Sequence, residues 1–178
     1  MTSRRAWRIG TAVALGALSA ALLWGPSAQA GDMRSNSCAA SHLSAKQTGS
    51  GAGMSQPFSV ITITNTGSST CSLNGYPTIT GAWTKSGKKA IHVTPGNLGN
   101  MSDPGPSHVA QAPGGKAWFA IGAATAYDPP LVTFRRIAFS AGGGSVPAKL
   151  SLPATAPTGK AFPLGVTAYA WGSGPQTT

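Results

Sequence analysis

Side chains able to act as acids, bases, nucleophiles or metal ligands are scarce in this 178-residue chain. It has no glutamate, and what remains is Asp32, Asp103, Asp128, His42, His92, His108, Cys38 and Cys71. A serine hydrolase needs its nucleophile on a sharp exposed turn with a base in reach, and no Gly-x-Ser-x-Gly occurs. Glycosidase chemistry needs two facing carboxylates and would have to draw on three aspartates, one of them near the expected mature N-terminus. Metal binding is the better alternative, because His92, Met101, Asp103 and His108 fall in or beside one long loop and imidazole with thioether suits copper. Against it, no His-x-His or His-Glu-x-x-His spacing accompanies them, a blue-copper centre needs a free thiolate, and the expected N-terminus is Gly31 rather than a histidine. The reading is therefore of a non-enzyme with no catalytic residue and no cofactor, and with His92, Met101 and His108 as the candidate metal ligands.

The other chemistry available is electrostatic. Lys85, Lys88 and Lys89 fall within five residues and next to Trp83, with no acidic residue nearby in the sequence, so this segment is the candidate contact for an anionic surface. The remaining basic residues (Lys46, Lys116, Arg135, Arg136, Lys149, Lys160) are scattered, which argues against nucleic acid as the partner. An anionic cell-wall polymer or an acidic glycan fits better. Trp83 is the tryptophan expected to be exposed, and an exposed flat ring would also suit a carbohydrate-binding module. Trp118, inside Ala117-Trp118-Phe119-Ala120-Ile121, reads as core.

The elements that must position these residues are strands. Glycine and proline supply 38 residues, while Glu is missing and Gln, Lys and Leu are few, so a helical bundle is disfavoured. A hydrophobic fraction of 41% is enough to build a core. Gln56 to Asn65, with Val60-Ile61-Thr62-Ile63, is the clearest strand and ends in the turn Asn65-Thr66-Gly67-Ser68. Thr78 to Trp83 and Ala90 to Thr94 read as a hairpin with Lys85-Ser86-Gly87-Lys88-Lys89 at its tip. Pro95 to Pro106 reads as a long irregular loop. Further strands are expected at 107–111, 116–123, 131–140, 146–152 and 161–171. About eight short strands without helical periodicity predict an all-β, two-sheet sandwich.

The first thirty residues read as an export signal. Arg4, Arg5 and Arg8 precede an uncharged run from Ile9 to Trp24, and Ala28-Gln29-Ala30 is a small-x-small cleavage site before Gly31. Arg4-Arg5 leaves the general secretory and twin-arginine routes both open. A flexible stub over 31–37 and one domain over 38–178 would follow. That mature chain has ten Lys and Arg against three Asp, a net charge of +7. In an exported chain the only two cysteines, Cys38 and Cys71, are expected to pair. The mature protein would be secreted, extracellular or wall-associated, without stable membrane insertion.

A signal segment, Cys38 before the first strand, the Asn65-Thr66-Gly67-Ser68 turn and then Cys71-Ser72-Leu73-Asn74-Gly75-Tyr76-Pro77 together resemble a family of secreted actinobacterial proteins that is catalogued as a domain of unknown function. The specific part of the likeness is Asn65 to Pro77. Members often carry a lipid-anchor cysteine and a second cysteine pair, and this chain has neither. The resemblance implies an immunoglobulin-like sandwich exported to the cell surface or medium, and no catalytic residues. The function expected is a secreted, non-enzymatic envelope or extracellular binding module. A copper-carrying sandwich is the alternative, and a carbohydrate-binding module the third reading.

Overall fold

The computed structural model describes residues 36–53, 56–96, 98, 101–123, 130–156, 159–172, 174 and 175. The expected signal and most of the stub therefore lie outside the described residues. After a single turn of 3-10 helix at Ala40–His42, the chain runs through β1 (Leu43–Gly53), β2 (Gln56–Asn65), β3 (Cys71–Asn74), β4 (Thr78–Thr84), β5 (Gly87–Lys89) and β6 (Ile91–Pro95). It continues through β7 (His108–Gln111), β8 (Lys116–Ala123), β9 (Val132–Ala141), β10 (Gly144–Ala154), β11 (Phe162–Val166) and β12 (Ala170–Trp171). The larger sheet has the order β1-β2-β8-β11-β6 with β12 also on β8, the second has the order β10-β9-β4-β5, and β3 pairs with β7.

The all-β expectation holds, but with twelve strands among the described residues rather than about eight. The extra ones were hidden for physical reasons. β1 alternates Ser44, Lys46, Thr48 and Ser50 with small residues, so it has no apolar run and is held as a strand by its ladder to β2. β3 spans only four residues around Cys71 and reads as turn. The segment 161–171 divides because Thr167 leaves the ladder, its N–H donating to Ala120 and its hydroxyl accepting from the Ala120 N–H at 2.9 Å.

The expected hairpin is also corrected. Gly87 takes φ 114°, which a residue with a side chain rarely adopts, so the chain turns at once after Lys85-Ser86 and returns as β5. β6 is not the partner of β4. It crosses to the larger sheet, pairs in parallel with β11 and packs Ile91 and Val93 against the core.

Between the two large sheets lies one apolar core. Ile61, Ile63, Phe119 and Ile121 from the larger sheet meet Phe134, Ile137, Phe139, Val146 and Leu152 from the smaller, and Phe119 stands edge-on to Phe139 at 5.3 Å. β10 keeps strict alternation, with Val146, Ala148, Leu150 and Leu152 inward and Ser145, Pro147, Lys149 and Ser151 outward. β2 and β8 do not alternate, because their outer face is covered too. There Val60, Trp118 and Ala120 pack under Leu98 and Met101 of the long loop, so Trp118 is buried as expected. Gln47 ties the facing edges of β1 and β10, its Oε1 accepting from the Ser151 N–H at 2.8 Å.

The expected disulfide is present, Cys38–Cys71 with Sγ–Sγ 2.07 Å. Asn36 and Ser37, placed in the flexible stub by sequence, are instead paired to the strand that carries Cys71. Ser37 bridges Ser72 in parallel, and Ser72 N–H donates to Asn36 at 3.0 Å.

Candidate functional site: a basic and aromatic sheet face

β4 is an interior strand of the smaller sheet, flanked by β5 and β9, and β10 lies beyond β9. Ala82 and Ile137 face the core, so Trp83 and Arg136 must face outward. The register then does what sequence distance conceals. Lys88 is opposite Trp83, Trp83 is opposite Arg136, and Arg136 is opposite Lys149, which places four residues from four strands in one outward row. At about 4.8 Å per strand the row is about 14 Å long.

Trp83 organises this row. Its six-membered ring lies along β4 toward Gly81, where an added Cβ would come within 2.4 Å of it, so only the missing side chain of Gly81 gives the indole its place. From the strands on either side, the Arg136 guanidinium sits 4.2 Å and the Lys88 ammonium 5.6 Å from the ring centroid. Both are within the range of cation–π attraction, about 0.5–1 kcal/mol each at exposed sites. The indole is thereby half-buried rather than freely exposed, and cations take up its faces. A shallow depression of about 520 Å³ adjoins, lined by Thr84, Lys85, Ser86, Val132, Thr133 and Arg135. Arg135 projects beside Arg136 because the ladder to β4 shifts there, with Thr84 opposite Phe134.

Of the residues singled out from sequence, Lys88 and Trp83 come together, Lys85 stands in the turn at the rim of the depression, and Lys89 separates from them. Lys89 lies opposite Ala82, hence toward the inner side of an edge strand, and is half-buried. Arg136, Lys149 and Arg135 are the members that local sequence did not connect. The only usable signal was that Arg135-Arg136 breaks the alternation of β9, as a bulge does.

Little neutralises the row. Asp103 is the only acidic side chain among the described residues. It is engaged elsewhere, accepting from the Tyr76 hydroxyl at 2.5 Å and from the Ala168 N–H at 2.9 Å.

The candidate metal ligands are dispersed. His92 is exposed on β6 of the larger sheet. His108 is on β7 with Nδ1 2.7 Å from Asn74 Oδ1, and Met101 packs with Leu98 against Trp118. Among the described residues no three His, Cys, Asp or Glu side chains gather.

The motif residues around the disulfide work inside the fold. Asn65, 1% exposed, accepts the Gly67 N–H and donates to the carbonyls of Ser69 and Gln111. The description of a domain of unknown function, DUF4232, matches residues 38–170, the span from the first disulfide cysteine to β12. The chain belongs to the DUF4232 family. Among curated proteins and among solved structures nothing matches it. In this DUF4232 domain Asn65, Cys71 and Tyr76 thus serve architecture: an Asx turn, a disulfide, and a hydroxyl that fixes the long loop.

Proposed function

We propose that this DUF4232 chain is an exported, non-enzymatic binding module of the cell envelope or extracellular space, and that its outward basic row takes an anionic polymer such as a wall polymer or acidic glycan. The observation that carries the reading is the row Lys88, Trp83, Arg136, Lys149 with cations stacked on the indole. Stacking restrains the guanidinium of Arg136 while its edge can still donate bidentate hydrogen bonds to phosphate or carboxylate. The reading of the first thirty residues as an export signal places the module outside the cell. The packing of two mainly antiparallel sheets beside a disulfide supports an immunoglobulin-like reading of the sandwich.

Retention on purified cell walls tests this. A Lys88→Gln, Arg136→Gln, Lys149→Gln variant should be retained several-fold less than wild type at low salt, and the difference should vanish as salt rises, since exposed charges are screened over about 8 Å at physiological ionic strength. Its melting temperature should change little, because exposed charges contribute little to folding. Equal retention of the two proteins across the salt series would overturn the proposal.

A further inference from the structure

A second concave site lies where the disulfide segment meets β3, β4 and β9. It is a cleft of about 210 Å³ lined by Ser37, Ser72, Thr78, Ser140, Tyr76 and Tyr169 among others, and no charged side chain lines it. Its volume is below the roughly 300–1,000 Å³ of pockets for drug-sized molecules, yet several times the roughly 30 Å³ that one water occupies.

Tyr169 makes the cleft more than a surface crease. The residue is 3% exposed, and its ring stands edge-on to Phe119 with centroids 5.9 Å apart. Its N–H donates to Gly75 and its carbonyl accepts from Ser107, but its hydroxyl has no hydrogen-bond partner among the described residues. Burial pushes the phenol up, so the group is a neutral O–H. Tyr76, which also lines the cleft, already donates to Asp103. A buried hydroxyl left unpaired costs about 1–3 kcal/mol, so a partner entering the cleft would be rewarded for satisfying it.

We infer that this cleft binds an uncharged polyol the size of one sugar ring, with the Tyr169 hydroxyl as its deepest hydrogen bond. Serine, threonine and tyrosine hydroxyls both donate and accept, which suits a ligand whose own hydroxyls do the same. The absence of charge in the lining disfavours an ion. The inference stands without the basic-face reading, but the two sites can serve one ligand: Ser140 lies four residues along β9 from Arg136, about 13 Å at 3.3 Å per residue. A glycan bearing anionic groups could therefore place a ring in the cleft and a charge on the row.

Neutral probes separate the two sites, because they have no charge for the basic row. Methyl glucoside, methyl N-acetylglucosaminide and myo-inositol would be titrated into isotope-labelled protein while the backbone amides of Ser72, Ser140 and Gly142 are followed by NMR. At least one probe should shift these amides saturably, with Kd on the order of 1 mM. Tyr169→Phe should weaken it about tenfold, as one lost hydrogen bond does, with melting temperature unchanged or raised because an unsatisfied hydroxyl has been removed. Ser140→Ala, at an exposed position, should weaken the same probe without affecting folding. The inference is overturned if no probe shifts these amides, if Tyr169→Phe binds as wild type does, or if that variant melts several degrees lower, which would mean that water or protein already satisfies the hydroxyl.

Discussion

Asp103 joins two segments far apart in the chain, accepting from Tyr76 with one oxygen and from the Ala168 N–H with the other. Partial burial by itself would raise its pKa, but the hydrogen bonds from Tyr76 and from the Ala168 and Gly105 amides outweigh burial and hold the carboxyl below its usual range. The same bond works in the opposite sense on Tyr76, whose phenol is raised chiefly by donating to Asp103. A carboxyl with a folded pKa below its unfolded one stabilises the fold fully above the unfolded value, near 3.9, and loses that contribution as pH falls through the lowered folded value. Denaturant midpoints measured from about pH 6 down to about pH 2 should therefore fall at the acid end. Asp103→Asn should be less stable at neutral pH, by about 1–2 kcal/mol, and show a flatter acid limb. An acid limb as steep in Asp103→Asn as in wild type would assign the acid sensitivity to other groups.

Within β4, a glycine and a tryptophan two residues apart form one device. Glycine weakens a strand interior, yet Gly81 is the position whose bare Cα leaves room for the Trp83 ring. Because the clashing atoms are the far end of a side chain, Gly81→Ala should displace the indole rather than break the strand. The expected result is a small stability change, under about 1.5 kcal/mol, with wall retention reduced as in the lysine and arginine variant. A shift in tryptophan emission that disappears in a Trp83→Phe background would locate the movement. Unchanged emission and retention would show that the ring keeps its place without the glycine.

Over the whole molecule, Cys38–Cys71 ties the segment entering β1 to β3, across 33 positions of sequence. Closing a loop of that length restricts the unfolded chain by roughly 3–4 kcal/mol, a large share of a small domain's net stability. The Cys38→Ala, Cys71→Ala double variant should unfold at markedly lower denaturant in equilibrium measurements. Reduction of wild type should reproduce that loss, and a reduced wild type as stable as the oxidised one would remove the bridge from the account.

Local sequence sufficed wherever a residue's environment follows from its neighbours. Val60-Ile61-Thr62-Ile63 commits β2 to a sheet by β-branched preference, Asn65 and Gly67 commit the next residues to a turn, and two cysteines in an apparently exported chain commit to each other. The motif Asn65 to Pro77 was legible as architecture for the same reason. β1 was not, because a polar strand is defined by its partner, and the hairpin was misassigned because a parallel pairing of β6 with β11 leaves no local mark. The candidate site divides along the same line. Lys88 and Trp83 were legible as neighbours five residues apart, whereas Arg136 and Lys149 joined them only through the register of three ladders, and Lys89 left them because successive residues on a strand face opposite sides. Tyr169 likewise acquired a buried hydroxyl facing an uncharged cleft only when β3, β4 and β9 closed around it. Register is a property of strands in pairs, so the composition of the sheet face was present in the sequence while its assembly was decided by the tertiary fold.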